Sequence, residues 1–174
     1  MDTLEKQPCP ICGKSTCTLS EGEQEIPYFG QVAVFGMSCT DCGFKKSDVE
    51  AIEPKEGSKF TYEIESEDDM NVRVVRSSEA TVKIPHMISL DPGPASNGYV
   101  TNIEGVLNKF KDTLENARDA EDDNTKKKKL KNMIKKLQKV IWGQEKVKLI
   151  IEDPTGNSAI ISEKAVKAKV KSKK

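Results

Sequence analysis

The chain has 174 residues, enough for one compact domain with a small appendage, and its 28 basic and 28 acidic side chains cancel to a formal net charge of zero. That balance speaks against a dedicated nucleic-acid or membrane-surface protein, which carries a large basic excess. Only 36% of residues are apolar and 5% aromatic, thin for one large core, so a structural metal would help such a chain fold.

The opening "MDTLEKQP" lacks the apolar stretch of a signal peptide. No apolar run reaches the ~18 residues of a membrane-spanning helix. A cytoplasmic protein is expected, with no membrane partner, and in that compartment paired cysteines signal metal more often than disulfide.

Two C-x-x-C knuckles follow, Cys9 with Cys12 and Cys39 with Cys42, each backed by a glycine, Gly13 and Gly43. Such a turn sets two sulfurs on one side of a tight loop, close enough to share an ion at about 2.3 Å each. Glycine lets the chain curl back through positive φ and aim amide groups at the thiolates. Four thiolates leave no open coordination position, so the expectation is one structural Zn2+ held by Cys9, Cys12, Cys39 and Cys42. The fifth cysteine, Cys17, has no partner at short spacing and is expected as a small, partly buried residue of the first hairpin.

Between the knuckles, Val32, Val34 and Phe35 mark a strand entering the second one. Ahead of it Ile26, Pro27, Tyr28 and Phe29 put four bulky groups together. They either roof the small core of this subdomain or stay exposed as a partner-binding patch.

From Phe44 to Leu90 the pattern is β: "KFTYEIE", "NVRVVRS" and "ATVKIP" alternate, separated by "EPKEGS" and "SEDDM". The only histidine, His86, is a loop residue behind Pro85. "DPGPASNG" is a loop of breakers. Thr101, with Glu104 three residues on, reads as the N-cap of a helix whose buried stripe is Ile103, Val106, Leu107, Phe110, Leu114 and Ala117. Gly105 in its first turn costs about 1 kcal/mol against alanine, which points to close approach of another backbone.

A second helix places Leu130, Met133, Ile134, Leu137, Val140 and Ile141 on one face and stops at Gly143. The pair makes an antiparallel helical hairpin over about residues 101–142. Its lysines, from Lys126 to Lys129 and onward to Lys139, read as a solvated face, since no aromatics interleave with them to stack bases. "KVKLIIEDPTGNSAII" reads as a β-hairpin, with Asp153, Pro154 and Gly156 as turn chemistry. The basic end, 163–174, reads as a disordered tail. No P-loop, nucleophile elbow or H-E-x-x-H occurs, and the carboxylates are scattered, so the chain does not read as an enzyme.

The knuckles bracketing "IPYFG", then "RSSEATVKIP", "TNIEGVL" and "LIIEDPTGNSAI", in this order from Cys9 to about Ile161, resemble the ZPR-type zinc-finger family. The resemblance implies a mostly β protein with a helical hairpin: a four-cysteine zinc ribbon over 1–46, then a small double-stranded β-helix-like domain over 47–162. It also implies a protein-binding module. Eukaryotic members of the family carry two such modules and bind translation elongation factor one-alpha, assisting its folding; archaeal members, like this chain, carry one. The expected function is therefore a zinc-binding interaction module with that factor as candidate partner. The alternative is a nucleic-acid or ribosome-associated zinc ribbon, whose binding would fall steeply with salt.

Overall fold

The computed structural model describes residues 2–27, 29–53, 55–93 and 96–170. The described residues up to Ala51 form an antiparallel sheet of four strands in sequential order: β1 (Asp2–Gln7), β2 (Cys17–Ile26), β3 (Gly30–Cys39) and β4 (Lys45–Ala51). The knuckles are the two connections at one end, between β1 and β2 and between β3 and β4. Because Cys17 opens β2 directly opposite Cys39, the register of this hairpin brings the knuckles side by side. The expected ribbon boundary at 46 falls inside β4, whose Val49 completes a small cluster with Ile26 and Val32.

The rest of the chain is two facing sheets and a helical hairpin. One sheet is ordered β12-β5-β10-β7-β8, from Val166–Lys169, Ser58–Ile64, Val147–Asp153, Thr81–Ile84 and Ile88–Leu90 respectively. The other is β11-β6-β9, from Ala159–Ile161, Arg73–Arg76 and Tyr99–Asn102. Alternation sets the inner face: Val147, Leu149, Ile151 and Asp153 of β10 are buried, while Glu152 turns outward to Lys59 and Lys83 at 2.9 Å each. Helices α1 (Ile103–Ala120) and α2 (Asn124–Ile141) add Val106, Leu107, Phe110, Ile134, Leu137 and Val140 to the same core.

Four expectations change in detail. Helix α1 is capped by Asn102, whose side chain accepts from the Gly105 N–H at 2.8 Å, and Thr101 closes β9 instead. What approaches Gly105 is the Thr101 side chain, which a Cβ would strike, and not another backbone. Ala117 is exposed, because the buried stripe ends at Leu114. Within the segment read as a disordered tail, 166–169 form the edge strand β12 against β5, and 171–174 lie outside the described residues.

The largest difference concerns "LIIEDPTGNSAI". β10 and β11 do not pair with each other: β10 lies between β5 and β7, and β11 pairs with β6. The turn is a corner that carries the chain from one sheet to the other. The buried Asp153 carboxylate organises it, accepting from Ser77 Oγ at 2.7 Å, Ser158 Oγ at 2.5 Å and the Thr155 N–H at 2.8 Å.

The same motifs join the two halves of the molecule. Ser78 donates its N–H to Asp48 Oδ1 at 2.9 Å and its hydroxyl to Asp48 Oδ2, and Asn157 Oδ1 accepts from the Ala51 N–H at 3.1 Å. Val75 of β6 packs into the ribbon cluster of Ile26, Val32 and Val49. Gly98 lies so close to β4 that a Cβ would meet the Val49 nitrogen at 2.7 Å.

A second buried carboxylate, Asp69, lies in the 3-10 helix Glu67–Asn71 within "SEDDM", read from sequence as a separator. Burial alone would raise its pKa. Bonds from the Tyr62 hydroxyl at 2.6 Å, the Glu65 and Ser66 N–H groups and Lys164 outweigh that and hold it down to about 2. A carboxyl whose folded pKa is depressed stabilises the fold above its unfolded pKa and loses that contribution as pH falls toward the folded value. Asp69 should thus contribute about 2 kcal/mol at neutral pH, lost between about pH 4 and pH 2. Urea midpoints measured across that window should fall more steeply for the native chain than for Asp69→Asn. Parallel curves would contradict this.

Candidate metal centre

Each knuckle is a tight turn closed by its own backbone. The Cys9 carbonyl accepts from Gly13 N–H at 2.9 Å, and the Cys39 carbonyl from Gly43 N–H at 3.2 Å. Both glycines sit at φ +72°, a conformation L side chains avoid. Returning bonds from Cys9 N–H to the Lys14 carbonyl at 2.9 Å and from Cys39 N–H to the Phe44 carbonyl at 2.8 Å make the loops near copies of one another. The glycine amides close the turns; the amides of other residues, such as Ile11 N–H to Cys9 Sγ at 3.4 Å, reach the sulfurs.

The facing loops gather the sulfurs of Cys9, Cys12, Cys39 and Cys42 within 4.8 Å of one another. Two of the spacings are Cys9 to Cys42 at 3.6 Å and Cys12 to Cys39 at 3.8 Å. A regular tetrahedron of ligands at 2.3 Å has an edge of about 3.8 Å, so these distances suit a zinc ion and are far too long for a disulfide. The donor set is soft, all-thiolate and complete, and the cluster can hold one zinc ion.

The thiols divide in acidity. The N–H of Cys42 and the Thr16 hydroxyl, 3.2 Å away, hold Cys39 down to about 6, and the Cys12 N–H lowers Cys9. At Cys42 the Phe44 N–H works in the same direction, but burial and the neighbouring sulfurs win and push it up to about 12. Like charges this close cannot all ionise alone; a divalent cation at their centre removes the conflict. A surface ion pair, Lys14 to Asp41 at 2.8 Å, bridges the knuckles at little energetic consequence.

Cys17 is fully buried beneath the knuckles, more deeply than its sequence implied. Burial and the adjacent sulfurs push its thiol up to about 11, but position is what sets it apart: its sulfur is not among the four that gather within 4.8 Å of one another. Cys17→Ser should therefore retain zinc at one per chain by elemental analysis. Loss of the metal from this variant would reassign the ligands.

The other sequence-derived candidates part company. Ile26 is 1% exposed within the ribbon cluster and cannot touch a partner in the folded chain. Pro27 is exposed, and Phe29 is half-buried with Lys55 Nζ 3.3 Å from its ring centroid and bonded to its carbonyl at 2.8 Å. Tyr28 lies outside the described residues. His86 is exposed at the β7–β8 turn, remote from the sulfurs in sequence and in fold. Sequence reasoning missed the joint residues Asp48, Ser78 and Asn157. A signal was present for two of them, in the small polar side chains amid strands of "RSSEA" and "EDPTGNS".

The model of the ZPR1 zinc-finger domain matches residues 3–54, and that of the ZPR1 jelly-roll domain matches residues 68–174. A ZPR1-like protein of Methanocaldococcus jannaschii is 44% identical over 165 residues, 94% of this chain and 83% of that protein. The zinc finger chaperone zpr1 of Schizosaccharomyces pombe is 34% identical over 157 residues, 87% of this chain but 33% of its own length. Human zinc finger protein ZPR1 is 29% identical over 141 residues, 30% of its length.

Proposed function

The chain belongs to the ZPR1 family, and from that premise we propose that it is a zinc-stabilised protein-binding module that assists the folding of translation elongation factor one-alpha in the cytoplasm. Cys9, Cys12, Cys39 and Cys42 are the zinc ligands of this reading. The observation that carries it is the closed sulfur set: four donors at tetrahedral spacing leave the ion no position for substrate or activated water. Such a metal holds a surface in shape and does no chemistry of its own. The carboxylates buried in the fold, Asp69 and Asp153, are saturated by hydroxyl and amide donors and serve as struts.

The chaperone role is taken from the name of the fission-yeast relative, of which this chain spans about a third. The partner follows from the family resemblance of the motifs. The module has two working parts, the ribbon through β4 and the jelly roll with its hairpin, fixed to each other by Asp48, Ser78 and Asn157.

Refolding of denatured elongation factor one-alpha in the presence of the zinc-loaded chain tests the proposal, with nucleotide binding by the factor as readout. The recovered fraction should rise with stoichiometric chain, and the two should co-elute. Recovery unchanged by the chain, with no complex formed, would contradict it.

A further inference from the structure

A groove of about 630 Å³ runs between α2 and the strands beside it, and all of its lining charge is positive. Lys129, Asn132, Met133 and Lys136 line it from α2 at spacings that put them on one helical face. Lys146 and Lys148 line it from the start of β10, and Pro85, His86 and Met87 from the β7–β8 turn. His86 holds φ +61°, unusual for a non-glycine residue, and this tight turn forms the groove's end wall. The floor is apolar, made by Met87, Met133, Ile84 and Val147.

The charge on α2 is one-sided: every ionisable side chain between Asn124 and Ile141 is a lysine. Among the described residues, Lys129 and its neighbours Lys126, Lys127, Lys128, Lys131 and Lys135 form no ion pair. Among the described residues the other groove lysines pair with glutamates outside the lining: Lys146 with Glu65 at 2.8 Å, Lys148 with Glu63 at 3.6 Å and Lys136 with Glu145 at 4.0 Å. These pairs are largely solvent-exposed, so a ligand in the groove can recruit the ammonium groups at small cost. In a chain whose total charge is zero, this concentration is a local feature and not a general basic character.

We propose that this groove, formed by α2, the β7–β8 turn and β10, binds an acidic peptide segment of a partner protein whose apolar side chains insert between Met87 and Met133. The inference rests on the reading of the chain as a protein-binding module and assigns it a contact surface away from the zinc ribbon. Carboxylates would meet the lysine rim, which sets orientation and encounter rate. Leucine- or methionine-like anchors would meet the floor, where flexible thioethers adapt to varied shapes. The groove is sized for a few side chains. Among the described residues its lining holds no phenylalanine, tyrosine or tryptophan on which a nucleic-acid base could stack.

The test is fluorescence anisotropy on the full zinc-loaded chain at physiological salt. The probe is a labelled synthetic peptide repeating Glu-Glu-Leu-Leu; the same peptide with serine for leucine and a polyuridine RNA serve as comparisons. The proposal expects saturable binding of the first probe at one per chain. Lys129→Glu with Lys136→Glu should weaken it about tenfold or more. Lys128→Glu with Lys135→Glu makes the same charge change outside the groove and should weaken it less than about twofold. Serine-for-leucine replacement should cost about tenfold as well, because the floor then gains nothing. No binding by the native chain, equal weakening by both double variants, or tighter binding of the RNA would each overturn the groove. So would a chain that self-associates through these lysines. Elongation-factor refolding that persists in the Lys129/Lys136 variant would remove the groove and leave the chaperone reading standing.

Discussion

Cys39→Ser is expected to yield a chain without zinc whose four-stranded ribbon no longer folds, while the helical hairpin keeps its structure. Cys39 ends β3, is 4% exposed, and faces Cys12 Sγ at 3.8 Å. A serine hydroxyl does not ionise at neutral pH and is a poor partner for zinc, so the site drops to three ligands. Structural zinc contributes about 10–16 kcal/mol of apparent binding free energy in isolated finger peptides, more than a whole small domain's stability. Little else fills this end of the ribbon: among the described residues, Met37 and Phe44 are the hydrophobic side chains that pack there besides the cysteines. Among the described residues the main core draws none from β1–β4, and the buried faces of α1 and α2 both belong to it. Hydrogen exchange should therefore show protection lost across residues 2–51 and kept at Leu107, Phe110 and Leu137. Protection lost equally in both parts would mean that the ribbon and the jelly roll fold as one unit. Protection and zinc retained in both would mean that Cys39 is no ligand.

Gly156→Ala is expected to be the most damaging single methyl group added to the jelly roll. Gly156 sits at φ +75°, where an L side chain costs roughly 1–2 kcal/mol. Its Cβ would also strike the Glu56 carbonyl and come within 2.9 Å of Lys55 Cβ. That backbone belongs to the connection between β4 and β5, so relief requires moving the link from ribbon to roll. Overpacking adds about 1–3 kcal/mol, for a total of about 3 kcal/mol. Gly93→Ala is the matched control, with ordinary φ and open space around the new methyl, and should change stability by less than about 0.5 kcal/mol. Equal denaturation midpoints for the two variants would contradict the packing described for this corner.

What could be read from the sequence was what local rules determine. The knuckles are visible because their geometry is set within a few residues, by C-x-x-C spacing and by Gly13 and Gly43 at positive φ. The hairpin helices show because burial at Phe110, Leu114, Ile134 and Leu137 follows helical spacing. The hidden features depend on distant partners. Asp153, Pro154 and Gly156 are equally good residues for a hairpin turn or a corner between sheets. Only the pairing of β10 with β5 and β7 decides between them. Strand β12, Val166–Lys169, alternates apolar residues with lysine over only four positions and keeps every side chain exposed, so it looks like part of a basic tail; backbone pairing to β5 holds it at a sheet edge, where lysines guard against further strands. Asp48 and Ser78 are thirty positions apart and say nothing of each other until the ribbon is laid on β6. Ile26 and Phe29 divided between core and half-buried edge for the same reason.

X-ray absorption at the zinc edge of the purified chain, together with metal content per chain, measures the central claim most directly. The account predicts one zinc per chain surrounded by four sulfurs at about 2.3 Å and no lighter ligand. Zinc well below one per chain, or a nitrogen or oxygen atom in the coordination sphere, would contradict it.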